Sequence, residues 1–339
     1  MLTFDLTFVI SMLTVILLMV VSVVLYVSYG FKRRLNICGK HVLVSGGSKG
    51  IGLEIANQCF RQGAKVTILA RDENGLKEAV NYILKENSAT GSSRESEIIY
   101  FPVDVANDLP TLEKIVSQAE NQLGPIYGLF NIVGKAVCHR FLETPHEEFD
   151  NMMKVNYQST VNCTRAVVTQ MVKRKEGFVE ITSSMAGLFG IYGFSAYSSS
   201  KFALLGFAQT LAMELKPHNI SITIAYPPDT DTPGFALENS TKPIETKLIC
   251  ESGGLVSPSK VASSIIKDTL KLKFSSTSTF EGFILRTLTS GLSPPNGIFS
   301  VFLEANLMGP LRLIGLLILT HFNKIVRDCN TKRTSSKSK

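Results

Sequence analysis

No acidic or basic side chain occurs from Leu6 to Phe31, tryptophan is absent throughout, and the six cysteines show no paired spacing. Each absence excludes something. Twenty-six uncharged positions, read LTFVISMLTVILLMVVSVVLYVSYGF, exclude a water-facing segment, since a bilayer span needs about 20 apolar residues. A cleaved signal peptide is the alternative, and its cues are missing: Asp5 and no Lys or Arg precede the run, and no small-x-small site follows it. Cys38, Cys59, Cys138, Cys163, Cys250 and Cys329 contain no Cys-x-x-Cys, which argues against a disulfide framework and a cysteine metal site, and no metal is expected. Cys59 and Cys163 fall within helical patterns, where a thiol is a small buried apolar group, as suits a reducing compartment. Without tryptophan, ligand binding has to be followed through the ligand's own signal.

The charge balance is also informative by where it is missing. The net charge is +7, but residues 32–40 and 321–339 together carry +9, leaving about −2 for the rest. The body is therefore not basic, and nucleic acid is not an expected partner. Basic residues beside apolar segments suit anionic lipid headgroups instead. Lys32-Arg33-Arg34 after the apolar run places that side in the cytosol by the positive-inside rule. The reading is an N-terminal anchor over residues 1–36 with a cytosolic body, so the sequons at Asn162, Asn219 and Asn239 are expected to carry no glycan.

From His41 onward, short apolar runs alternate with helical patterns. Strands are expected at His41–Ser45, Lys65–Ala70, Ile98–Val103, Ile126–Ile132, Phe178–Thr182 and Ile220–Ala225. Helices are expected at Gly50–Arg61, Glu73–Lys85, Leu109–Gln122, Glu147–Lys173 and Ala196–Leu215, with a polar loop at Thr90–Glu97. Such alternation implies right-handed crossovers and a parallel sheet covered on both faces, a doubly wound α/β fold of Rossmann type. The expected domain spans residues 37–275. After Ala225 the alternation breaks at Pro227-Pro-Asp-Thr-Asp-Thr-Pro-Gly-Phe235, which opens a loop to about Ser257, a candidate substrate lid. Residues 276–339 form a hydrophobic C-terminal segment with a basic tail. Ile298–Thr320 is largely apolar but holds Glu304, Pro310 and Arg312, and reads as a spanning helix, an interfacial helix or hairpin, or plain core.

Two motifs carry chemistry. Ser45-Gly-Gly-Ser-Lys-Gly-Ile-Gly52 joins the first strand to the first helix. Gly46, Gly50 and Gly52 allow a tight turn, close backbone approach to a pyrophosphate and close helix packing. The same letters contain Gly-x-Ser-x-Gly, but a hydrolase elbow is rejected because the motif follows the first strand and no Asp/His partners are evident. Strand two ends at Ala70 rather than at the acid that binds a ribose 2′-hydroxyl, and Arg71 and Lys49 suit a 2′-phosphate, so NADPH is expected. Asp72 is one register step from that ribose.

The second motif is Tyr197-Ser-Ser-Ser-Lys201 with Ser184 upstream. Tyrosine and lysine four apart share a helix face. The ammonium is expected to lower the phenol pKa from its ordinary value of about 10, and a serine hydroxyl to hold a carbonyl oxygen. Ser183 is the neighbouring alternative to Ser184. The set is suited to reducing a ketone or oxidising an alcohol.

Over about His41–Phe235 the chain resembles the short-chain dehydrogenase/reductase family. The resemblance implies Ser184, Tyr197, Lys201 and Asn156 as catalytic residues. It also implies cofactor contacts from Gly46, Ser48, Lys49, Gly50, Ile51, Gly52, Arg71, Asp104, Val105, Asn131, Tyr197, Lys201, Pro227 and Thr230. It implies a role for Lys201 at the nicotinamide ribose and for Asn156 in a water link to solvent. Asn131-Ile-Val-Gly134 departs from the usual Asn-Asn-Ala-Gly, with the bulkier Ile132 and Val133 near the cofactor. The long helices around Asn156 and Tyr197 commonly form dimer faces in this family, which makes a homodimer the candidate assembly. A narrower resemblance, carried by Ala225–Phe235 and Thr241-Lys-Pro-Ile-Glu-Thr246, is to branch members that reduce long-chain sphingoid ketones at the endoplasmic reticulum membrane. The rival readings are a membrane-bound hydroxysteroid or retinol dehydrogenase and a catalytically silent scaffold.

Overall fold

Runs rich in Val, Ile, Phe and Thr fit a pleated, buried surface, and here they form one parallel sheet. The computed structural model describes residues 6–29, 34–88 and 97–337. Asp5, Lys32-Arg33 and most of the Thr90–Glu97 loop lie outside the described residues. In chain order the elements are α1 (Leu6–Tyr29), β1 (His41–Ser45), α2 (Gly50–Arg61), β2 (Lys65–Ala70), α3 (Glu73–Asn87), β3 (Ile98–Pro102), α4 (Leu109–Leu123) and β4 (Ile126–Asn131). Then come α5 (His146–Met152), α6 (Ser159–Arg174), β5 (Gly177–Thr182), α7 (Ser195–Glu214), β6 (Ile220–Ala225), α8 (Pro233–Thr241), α9 (Ile244–Cys250), α10 (Pro258–Leu270), β7 (Ser275–Ser276), α11 (Phe280–Leu288) and α12 (Ile298–Lys337).

The strand order is β3-β2-β1-β4-β5-β6-β7, all parallel. The order reverses between β1 and β4, which opens a crevice at their carboxyl ends, where open α/β sheets bind ligands. Each face is sealed by its own core. Ile55 and Phe60 of α2, Leu76 and Ile83 of α3 and Ile265 of α10 pack on one side. Leu112 of α4, Val167 and Met171 of α6 and Leu204 of α7 pack on the other.

Three expectations change. The long helix over Glu147–Lys173 is interrupted by a π-helical turn at Met153–Gln158, one extra residue per turn, with Asn156 inside it. The lid is not one loop but two helices, α8 and α9, tied back by a bridge between Thr230 and Val256. The C-terminal segment is neither hairpin nor core. It is one 40-residue helix with Pro310 inside it, and none of its apolar window is buried within the molecule. Glu304, a costly residue in an apolar helix, is paired with Arg286 of α11 at 3.2 Å.

At the centre of the sheet, Phe178 is fully buried and meets Phe130 and Tyr127 edge-on at 5.4 and 5.8 Å between ring centroids. Gly128 leaves room for its ring: a methyl there would collide with it. Phe178→Ala should cost about 3–5 kcal/mol, read as a lowered midpoint in denaturant unfolding of the detergent-solubilised protein. A loss below about 1 kcal/mol would contradict this packing.

Candidate active site

The turn after β1 begins at Gly46, whose φ of +76° is open to glycine at no steric cost. A side chain there would meet the backbone nitrogen of Val133 at 3.0 Å, and one at Gly52 would collide with the Gly46 carbonyl. The turn is therefore a bare backbone cradle under the N-terminus of α2, where amide N–H groups favour phosphate. Ser48, Lys49, Gly50 and Ile51 line the cavity there, with Arg71, Asp104, Val105, Pro227 and Thr230. Asp104 is fixed by accepting from the Ala106 amide at 3.0 Å and from Asn107 Nδ2 at 2.7 Å. Asp72 caps α3 through the Asn74 amide and lies 3.8 Å from Lys49 Nζ. Arg71 stands at the end of β2 and lines the cavity beside them. These residues fit a dinucleotide.

Asn131 is buried at the end of β4, and its Nδ2 donates to Thr164 Oγ1 and to the Glu180 carbonyl, tying β4 to α6 and β5. Gly52 packs directly against the turn, where a Cβ would meet the Gly46 carbonyl.

The reactive groups gather where β5 and β6 end. Ser184 follows β5 in an extended conformation, accepts from the Ala186 amide at 3.2 Å and hydrogen-bonds the Tyr197 hydroxyl. Ser183 Oγ instead donates to the Lys201 carbonyl at 2.9 Å and is buried, which leaves Ser184 as the serine beside the tyrosine. Tyr197 and Lys201 sit one turn apart on α7. Lys201 Nζ donates to the Thr182 carbonyl at 2.9 Å and lies 5.9 Å from the tyrosine ring centre. Asn156 is fully buried in the π turn: its Oδ1 accepts from the Lys135 amide at 2.8 Å, and its Nδ2 donates to the Lys135 carbonyl and to Ser200 Oγ. Gly134 provides the space between them, since a side chain there would lie 3.2 Å from both Asn156 Oδ1 and Lys201 Nζ.

Electrostatics differ from the simple expectation for the tyrosine. Burial pushes the Tyr197 phenol up, Ser184 pulls it down, and Glu238 and Asp229 push it up further. Lys201, whose ammonium donates to the Thr182 carbonyl, is not among these causes. The lysine itself is lowered by burial and raised by Glu180.

Glu180 was not foreseen. It is fully buried in β5, its Oε1 accepts from Thr182 Oγ1 at 2.8 Å, and its Oε2 has no partner. Burial raises its carboxyl, and Lys201 opposes that rise. One residue, Thr182, thus links the acid through its side chain to the lysine through its backbone. No periodicity marks such a pair; the only signal was a charged residue inside an apolar strand.

Tyr197, Ser184 and Lys201 open onto one cavity of about 1660 Å³. Its far wall is largely apolar, with Ile284 and Leu288 of α11 and Ile314, Ile318 and Phe322 of α12, and Glu281 and Arg312 also line it.

Residues 40–243 match the short chain dehydrogenase profile. A 3-dehydrosphinganine reductase of Danio rerio is 43% identical over 306 residues, covering 90% of this chain and 91% of the relative. A 3-ketodihydrosphingosine reductase of Mus musculus is 41% identical over 301 residues, covering 89% and 90%. A solved structure described as ElxO with NADP bound superposes with a TM-score of 0.58 at 26% identity, covering 67% of this chain and 89% of that one. With a family match across most of the sheet and relatives aligned over nearly its whole length, this chain belongs to the short chain dehydrogenase family, whose members bind a nicotinamide cofactor.

Proposed function

We propose that this chain reduces 3-ketosphinganine to sphinganine with NADPH, at the endoplasmic reticulum membrane and with its catalytic domain in the cytosol. The observation that carries the reading is a single cavity that joins Ser184, Tyr197 and Lys201 to the apolar wall of α11 and α12. A polar reaction centre opening into an apolar gallery suits a ketone on a long hydrocarbon chain. The names and coverage of the relatives agree with it.

NADPH, when bound, supplies the hydride. Ser184 orients the ketone oxygen toward the phenol by hydrogen bonding. Tyr197 Oη gives its proton to that oxygen as negative charge develops there. Lys201 stabilises the resulting phenolate by its charge, and the Thr182 carbonyl fixes where that charge sits. Asn156 and Ser200 hold the floor beneath Lys201, and through the Lys135 backbone they connect it to the cavity rim.

The helix α1 has 24 residues, roughly 36 Å at 1.5 Å per residue, enough to cross a hydrocarbon core of about 30 Å. It is the anchor, with Lys32-Arg33-Arg34 on the cytosolic side. The exposed apolar face of α12 lies on or in the same bilayer, so a substrate dissolved in lipid meets the cavity wall first.

Membranes carrying the full chain should consume NADPH with 3-ketosphinganine and not with a ketosteroid or retinal. Tyr197→Phe should abolish turnover with NADPH binding retained, read from the fluorescence of NADPH. Preference for the steroid or retinal would move the function to a different membrane-bound dehydrogenase, and turnover by Tyr197→Phe would remove the proton donor from the mechanism.

Arg71→Ala should weaken NADPH by about tenfold or more, the scale of one lost charge-assisted contact, and change NADH little. An equal loss for both cofactors would contradict the 2′-phosphate assignment.

A further inference from the structure

The lid carries three charges that the chemistry above does not use. Lys242 Nζ lies 2.9 Å from Glu238 Oε1 and 3.3 Å from Asp229 Oδ2, and its side chain is only 2% exposed. The same ammonium sits 4.8 Å from the Phe235 ring centre and 5.7 Å from that of Phe194. The local sequence explains the arrangement. Thr232 caps α8 by accepting from the Phe235 amide, and Glu238 and Lys242 follow at a spacing of four, on one helix face. Asp229 comes from the turn after β6, pinned by backbone hydrogen bonds between Asp229, Asp231 and Val256.

Burying charge is costly, and one acid would balance one lysine. Here two carboxylates meet a single ammonium; burial and Asp229 raise the Glu238 carboxyl while Lys242 lowers it, and with both acids ionised the cluster carries one excess negative charge. Three nearby cations have other partners: Arg140 and Arg333 both pair with the buried Glu245, and Lys201 faces the Thr182 carbonyl and Glu180. Cys138 and Cys250 are nearby, and burial raises both thiols, so they are neutral. Glu238 Oε1 is itself buried, with Lys242 Nζ as its partner.

The excess charge faces the reaction. Asp229 and Glu238 line the cavity that holds Tyr197, and both act on its phenol. A carboxylate beside a tyrosine that must become a phenolate is unfavourable unless a cation arrives with the substrate. In the reaction proposed above, 3-ketosphinganine carries a primary amine on the carbon next to the ketone.

We propose that Glu238 and Asp229, held by Lys242, form the ammonium subsite of this active site and select ketones with a cationic amine beside the carbonyl. The inference rests on the reductase reading and deepens it. The substrate ammonium completes the neutral balance of the cluster and offsets the field that opposes the Tyr197 phenolate. A substrate with the amine thus both binds and readies the tyrosine, whereas a plain ketone leaves the carboxylates uncompensated.

The test compares two ketones of equal length, 3-ketosphinganine and 1-hydroxyoctadecan-3-one, which lacks the amine. The full chain in detergent micelles should show a higher kcat/KM for the amino ketone, and Glu238→Gln should lower the ratio of the two values about tenfold or more, the size of one charge-assisted contact. A ratio insensitive to Glu238→Gln, with both values falling together, would overturn the subsite and leave a structural role. If that variant fails to fold, the unmodified chain decides through inhibition. Octadecylamine should inhibit at a concentration about tenfold below octadecanol, and equal inhibition would overturn the proposal. Equal reduction of both ketones by the unmodified chain leaves the reductase reading and removes the subsite alone. Reduction of neither removes both.

Discussion

An ammonium held inside a protein has to be compensated, and much of this site is arranged around that of Lys201. The side chain is buried, so its charge cannot be left to water. The Thr182 carbonyl at the end of β5 accepts from it, and Glu180, one side-chain step away through Thr182, opposes the burial that lowers it. The π turn brings Asn156 alongside, and Gly134 keeps the intervening space free. An α-helical Met153–Gln158 would rotate Asn156 away from the Lys135 backbone it now binds at both ends. A π bulge at such a point is a common device for aiming a functional side chain.

The same economy runs outward along the cavity. At the cradle, backbone amides and Arg71 present positive charge for phosphate. At the lid, Asp229 and Glu238 exceed Lys242 by one charge of the opposite sign. Beyond Tyr197 the wall turns apolar along α11 and α12. Phosphate, amine and hydrocarbon would each meet the environment that suits it, with the reacting carbonyl where the three regions join. The lid is itself anchored by charge, since Glu245 of α9 is buried between Arg140 and Arg333 and so ties the lid to the far end of α12.

Much of this was legible from residue patterns. The six principal strands lie where apolar runs of five to six residues are bounded by turns, within one residue of expectation at each end. The glycine turn was read from the strand before it and the helix after it, whereas the Tyr197/Lys201 spacing, common by chance on helices, gained its meaning from the rest of the chain. What escaped had physical reasons. A π turn keeps helical composition, so Met153–Gln158 reads as ordinary helix. Two-residue β7 is too short for alternation to register. Asp72 was ambiguous until its capping bond to α3 was seen. The pairing of Glu304 with Arg286 made one continuous α12 acceptable where the charge alone had argued against it. Glu180 violates the apolar character of its own strand, and such exceptions are where function tends to reside.

The pH dependence of kcat/KM for 3-ketosphinganine reduction, compared between the unmodified chain and Glu180→Gln, tests the buried lysine most directly. Reduction requires Tyr197 protonated and Lys201 charged, so the rate should fall as pH rises through the lysine's titration. An ionised Glu180 favours the ammonium, and removing it lets burial lower the lysine further. The alkaline limb should therefore move to lower pH in Glu180→Gln, with little change on the acid side. A limb that stays in place while only thermal stability drops would contradict the account and leave Glu180 as a packing residue.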